Sequence, residues 1–136
     1  MRVLIDSSVL IAAARSSETH HARAAAVLEA SAGELGVPVT ILAETMSFLG
    51  ARLGVEQQRL FWDAFMASGI EVVAIDSESL EIARAIDARY ADAGFGFADC
   101  TLLAACEQHR IAKVLTFDVR LAAFRPSFAA ALEIQP

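Results

Sequence analysis

The sequence has no uncharged apolar run long enough to cross a bilayer. A spanning helix needs about 18–20 such residues, and a charged residue interrupts every apolar stretch sooner. The opening Met1-Arg2-Val3-Leu4-Ile5-Asp6 is too short in its apolar part to act as a secretory signal. These absences predict a cytoplasmic protein with no membrane partner. Cysteine is scarce as well, with only Cys100 and Cys106. Six residues apart in one predicted helix, they stand about 9 Å apart along its axis, too far for a disulfide. Neither a Cys-x-x-Cys nor a paired Cys/His spacing points to zinc, so both read as buried free thiols. Gly94 and Gly96 are too few for a phosphate-binding loop, and no Lys-Ser/Thr follows them.

Basic residues are in deficit. Eleven Lys and Arg face 17 Asp and Glu, for a net charge of −6. Nucleic-acid-binding domains usually carry a basic face. The excess negative charge fits either a site that a bound cation neutralises or an ordinary soluble surface, and net charge does not separate the two. Apolar residues are abundant at 56%, which excludes global disorder. With no repeat, low-complexity stretch or linker, residues 1–136 read as one domain.

Val3-Leu4-Ile5 is a short apolar run closed by Asp6-Ser7-Ser8, the pattern of a buried strand leading into a helix cap. A short helix through Val9-Leu10-Ile11 and a second over 19–32 follow, with Gly33 and Gly36 bracketing a turn. An extended segment over 36–39 leads to helices ending at Leu53 and Ser68, each stopped by a glycine. Residues 70–75 are rich in β-branched side chains and read as a strand. Helices over 76–90 and 98–109, a strand over 113–117 and an edge strand at 132–134 complete the chain. Strands alternating with helices predict an α/β fold with a mostly parallel sheet covered on both faces.

Most acids read as solvated charges, and Asp76 reads as a helix cap. Four do not. Asp6 sits at the carboxyl end of the first strand, where open parallel sheets bind ligands near a switch point, although it could simply cap the next helix. Glu44 has Ile41 and Phe48 at i−3 and i+4, which predicts a carboxylate on an apolar helix face. Burial there is costly without a metal or a partner such as arginine. Asp99 precedes Leu102, Leu103 and Cys106 and points inward at a helix start. There the helix dipole favours an anion whether or not a ligand binds. Asp118 ends a strand as Asp6 does, with Thr116 on the same side of that strand, although Asp is common in turns. Four converging carboxylates would repel one another without a cation. All-oxygen ligation suits Mg²⁺ or Mn²⁺, and the matching chemistry is phosphodiester hydrolysis.

Val3-Leu4-Ile5-Asp6-Ser7-Ser8-Val9-Leu10-Ile11, the helical Glu44, Phe97-Ala98-Asp99 and Leu115-Thr116-Phe117-Asp118 together resemble a PIN domain. The likeness is greatest to the VapC-type toxins of bacterial toxin–antitoxin pairs and covers roughly residues 1–125. It implies a three-layer α/β/α fold with about five strands, and an endoribonuclease that uses Mg²⁺ or Mn²⁺ on RNA. By motif position, Asp6 and Asp99 are the expected metal ligands and Glu44 completes or supports their set. Asp118 binds a second metal or positions water, and Ser8 and Thr116 are supporting hydroxyls. The resemblance further implies a homodimer silenced by a cognate antitoxin whose tail enters the groove. After Asp118, Val119-Arg120-Leu121 departs from the family's usual basic-plus-aromatic run, which leaves the role of Asp118 open.

Rival readings fit less well. A signalling receiver domain needs paired acids after its first strand and a phospho-accepting Asp after a mid-chain strand. Here serines follow Asp6, and Asp63 lies in a helical stretch beside Trp62. An aspartate-nucleophile phosphatase needs a second Asp where this chain has Ser8. A PIN domain that binds or processes RNA outside a toxin pair is the remaining alternative. His20 and His21 are expected to face solvent. Phe48, Phe61, Trp62 and Phe65 are expected in the core or on a dimer surface.

Overall fold

The computed structural model describes all 136 residues. In chain order it contains β1 (Val3–Ile5), α1 (Ser7–Ala14), α2 (His21–Ala30), β2 (Leu35–Pro38), α3 (Val39–Leu53), α4 (Val55–Ser68) and β3 (Glu71–Val73). The chain continues through α5 (Ser77–Arg89), α6 (Phe97–His109), β4 (Lys113–Leu115) and β5 (Glu133–Gln135). Short 3₁₀ turns occupy Ala91–Ala93 and Val119–Ala123.

The five strands form one sheet in the order β3-β2-β1-β4-β5, and every pairing is parallel. With six helices packed around it, this is the α/β/α architecture expected. β1 is central, and all three of its residues are buried. Such continuous apolar strands belong to parallel sheets covered on both faces. From β1 the chain moves outward to β2 and β3, then crosses back to β4 on the other side. The switch point therefore lies between the carboxyl ends of β1 and β4, and Asp6 and Thr116 leave the sheet there.

One cluster of 27 buried apolar residues forms the core. α6 supplies much of it, since every residue from Cys100 to Cys106 is buried. A helix apolar on all sides belongs in an interior. Truncating Leu102 or Leu103, both fully buried, to alanine would cost about 2–5 kcal/mol. Both thiols are buried and unpaired, as expected. No helix is long and apolar enough to cross a membrane.

Local departures from the sequence reading have physical causes. β3 is shorter than residues 70–75 because its partner β2 ends on Pro38, which pairs with Val73 and has no N–H to extend the ladder. Gly33, at φ +86°, makes the expected turn, but Gly36 lies inside β2. A Cβ at Gly36 would collide with the Met1 side chain, so glycine there admits close packing. The fourth strand ends at Leu115 and not at Phe117, because the Phe117 N–H is diverted to Ser8 Oγ at 3.1 Å. The second helix spans only residues 21–30, its expected first turn being drawn instead toward Phe117 and the Ala12 carbonyl of α1 by His20 and His21.

Candidate active site at the switch point

Asp6 enters the site directly from β1 and is 96% removed from solvent, at 4% exposure. Burial of a carboxylate is costly unless its oxygens are satisfied. Two hydroxyls meet that need: Thr116 Oγ1 donates to Asp6 Oδ2 at 2.7 Å and Ser8 Oγ at 3.0 Å. Each hydroxyl in turn accepts a backbone N–H from the β4 exit, that of Asp118 at Thr116 (2.9 Å) and that of Phe117 at Ser8 (3.1 Å). Ser8 and Thr116 thus hold Asp6 in place. Asp6 Oδ1 accepts no hydrogen bond and is not sealed from solvent.

Asp99 lies in the first turn of α6. Its Oδ2 accepts the Gly96 N–H at 3.1 Å, so it satisfies a free donor at the helix start while facing the site. Burial raises its pKa above the usual 3.8, and the negative charges of Asp6 and Asp118 raise it further. The Gly96 N–H and the Arg120 charge pull in the opposite direction without prevailing. Three of the four acids singled out therefore share one electrostatic neighbourhood.

Asp118 is held differently. Arg120 Nε donates to both of its oxygens, at 2.9 and 3.1 Å, and the Arg120 backbone N–H adds a bond at 3.0 Å. This clamp holds the Asp118 pKa below the usual range. The same guanidinium comes within 3.5 Å of Asp99 and donates to the Gly94 carbonyl at 2.6 Å. Arg120 is the member of this cluster that sequence reasoning missed. Its only signal was the departure in Val119-Arg120-Leu121.

Glu44 is a correction. The apolar neighbours Ile41 and Phe48 predicted a buried carboxylate, but Glu44 is exposed. The buried stripe of α3 runs through Ile41, Thr45 and Leu49, one residue away from it. Glu44 forms no ion pair with any arginine, and Arg15 and Arg52 lie over Phe48 instead. One turn earlier, Thr40 is bonded to Thr101 of α6 at 2.6 Å, which fixes α3 against the helix that carries Asp99. No three acidic, histidine or cysteine side chains converge tightly enough to form a ready cage for a metal.

His20 and His21 are a second correction, since neither is simply solvent-facing. His20 stacks on Phe117 with ring centroids 4.5 Å apart, and the His21 imidazole Nδ1 lies 2.8 Å from the Ala12 carbonyl. Arg23 lies across Phe117 at 5.6 Å, so two side chains from the α2 start brace the residue next to Asp118. A cleft lined by Val72, Ile82, Tyr90 and Arg125 among others contains none of the site acids.

Known proteins of the same build follow from this geometry. Ribonuclease VapC26 of Mycobacterium tuberculosis (strain ATCC 25618 / H37Rv) is 27% identical over 125 residues, 91% of this chain and 93% of the relative. The fold matches a crystal structure of Mycobacterium tuberculosis VapC20, a sarcin-ricin loop cleaving toxin, with a TM-score of 0.85. That match has 19% identity and covers 98% of this chain and 99% of the other. VapBC2 from Rickettsia felis, bound to a DNA fragment from its promoter, aligns at a TM-score of 0.75 and 14% identity, covering 99% and 98%. The PIN domain model matches residues 3–125, and the chain belongs to the PIN domain family.

Proposed function

We propose that this protein is a metal-dependent endoribonuclease, the toxin of a VapBC-type toxin–antitoxin pair. The observation that carries this reading is the pair Asp6 and Asp99 at the switch point, in a chain that matches the PIN model throughout the site. Each presents one carboxylate oxygen, Oδ1, that accepts no hydrogen bond. Such hard oxygen donors fit Mg²⁺ or Mn²⁺. When bound, a divalent cation would supply an activated water and offset charge developing on phosphate.

The chain's own residues prepare for that chemistry. Ser8 and Thr116 fix the orientation of Asp6, and the raised pKa of Asp99 reflects its burial beside the carboxylates of Asp6 and Asp118. Asp118 fits a cation less well, because Arg120 engages both of its oxygens. In this reading Asp118 positions neighbouring groups. Glu44 is exposed on α3 and serves the site only if substrate or cation draws it in. A homodimer, a cytoplasmic location and an antitoxin with a cationic tail belong to the same proposal. Exposed Leu60, Trp62 and Met66 on α4 offer apolar surface for protein partners.

Purified protein should cleave RNA with Mn²⁺ or Mg²⁺ and stop when the metal is chelated. Asp6→Asn should lose at least ~100-fold in rate, about 2.7 kcal/mol in the transition state, and Glu44→Gln should lose less. Cleavage that persists in chelator, or at full rate in Asp6→Asn, would refute the mechanism. Expression without the antitoxin should arrest growth. Harmless expression of folded, active protein would leave the nuclease but remove the toxin.

A further inference from the structure

The acid cluster already holds a cation of its own. The Arg120 guanidinium bridges Asp118 and Asp99 and makes no bond to the hydroxyl-held Asp6. Its donors are mostly committed: Nε and one terminal nitrogen to Asp118, the other terminal nitrogen to the Gly94 carbonyl. The Arg120 backbone N–H also bonds Asp118, so the Val119–Ala123 turn aims the side chain into the site.

Such a forked pairing matches two carboxylate oxygens in both geometry and charge. The oxygens it occupies are among those a hard cation would seek. Asp118 cannot serve both at full strength, and a guanidinium beside a divalent ion adds like-charge repulsion. The side chain of Arg120 is 50% exposed, so it can swing into solvent without disturbing the core. Asp6 makes no bond to Arg120 and keeps a free oxygen, which leaves an entry point for the ion.

We infer that Arg120 is a built-in counter-cation that competes with the divalent metal for Asp118 and Asp99 and so sets the metal concentration at which the site fills. This inference rests on the metal-dependent reading proposed above and adds its regulation. Without metal, Arg120 relieves repulsion among the three aspartates. With metal, it must yield at least part of its grip. Metal affinity is thereby held below what the carboxylates alone would give.

The test is calorimetric titration of Mn²⁺ into the metal-free full chain, comparing wild type with Arg120→Gln and Arg120→Ala. A third variant, Arg23→Gln, removes the same charge beside the site from a side chain that touches no acid. Both Arg120 variants should bind Mn²⁺ at least ~10-fold more tightly, within the range typical of coupled binding events. Arg23→Gln should change affinity by less than about twofold, as expected for a screened charge. Thermal melts give a second readout: the Mn²⁺-induced rise in Tm should be larger in the Arg120 variants than in wild type. Equal or weaker binding in the Arg120 variants overturns the inference while leaving the metal site intact. So does equal tightening by Arg23→Gln, because long-range charge would then suffice. Failure of every form to bind Mn²⁺ refutes the metal-dependent reading and this inference with it.

Discussion

The starts of α5 and α6 each carry an aspartate, Asp76 as the cap of α5 and Asp99 within the first turn of α6, yet the two carboxylates respond in opposite directions. Asp76 caps α5: its Oδ1 accepts the Ser79 N–H and hydroxyl, both at 2.9 Å, and Ser79 returns a bond to the Asp76 N–H. Those bonds favour the ionised form, and the pKa falls. Asp99 also accepts a backbone N–H at its helix start, but burial and two neighbouring carboxylates outweigh it, and the pKa rises. A helix start therefore explains Asp76 completely and Asp99 only in part. At Asp99 the charge is held against desolvation and like charge, a cost that its place at a helix start does not explain.

The largest expected difference is in catalysis. Asp99→Asn should lower RNA cleavage by at least ~100-fold, whereas Asp76→Asn, an equally good cap, should leave the rate within about twofold. Rates measured on purified, folded variants decide this. Full cleavage in Asp99→Asn would reduce Asp99 to the same role as Asp76.

Next comes the pH dependence of stability. The folded pKa of Asp99 lies above 3.8, so wild type loses stability relative to Asp99→Asn as pH rises from 3.8 through that raised value. Below 3.8 the difference should close. Asp76 has the opposite sign, since its folded pKa lies below 3.8. The stability it confers over Asp76→Ala should be present above 3.8 and vanish as pH falls through the folded value. Metal-free melts across this range should give curves of opposite slope. Parallel curves would mean that the two helix starts are alike after all.

The smallest effect tests whether burial is the cause. Cys100 and Cys106 lie further along α6 than Asp99, and burial raises both thiol pKa values, that of Cys106 to about 12. Cys106 should resist a thiol reagent at pH 8 in the native protein and react only on unfolding, with Cys100 reacting no faster than an exposed thiol. Rapid native labelling of Cys106 would show that α6 is less sealed than its neighbours imply.

How far the sequence could be read depended on whether a residue's surroundings were local. Asp6 and Asp118 were legible because each follows an apolar strand, and Asp76 because Ser79 follows at capping distance. Asp99 was legible because Leu102, Leu103 and Cys106 fix the inward face of α6. Glu44 was misread because Ile41 and Phe48 straddle the edge of the buried stripe, and a carboxylate between them can turn outward. Arg120 was illegible because only the fold brings residues 94 and 99 to its pairing with the neighbouring Asp118. The stacking of His20 on Phe117 was hidden for the same reason.

The hydroxyl of Thr116 has a consequence for how this site tolerates change. It donates to Asp6 and accepts from the backbone of Asp118, so one oxygen atom belongs to the supports of two acids from different strands. Thr116→Val would preserve shape and burial while cutting both ties at once. Damage at Asp6 and damage at residue 118 then share a common part, and their combined effect falls short of the sum. The two acids are coupled through one shared oxygen, so the worth of either depends on the state of the other.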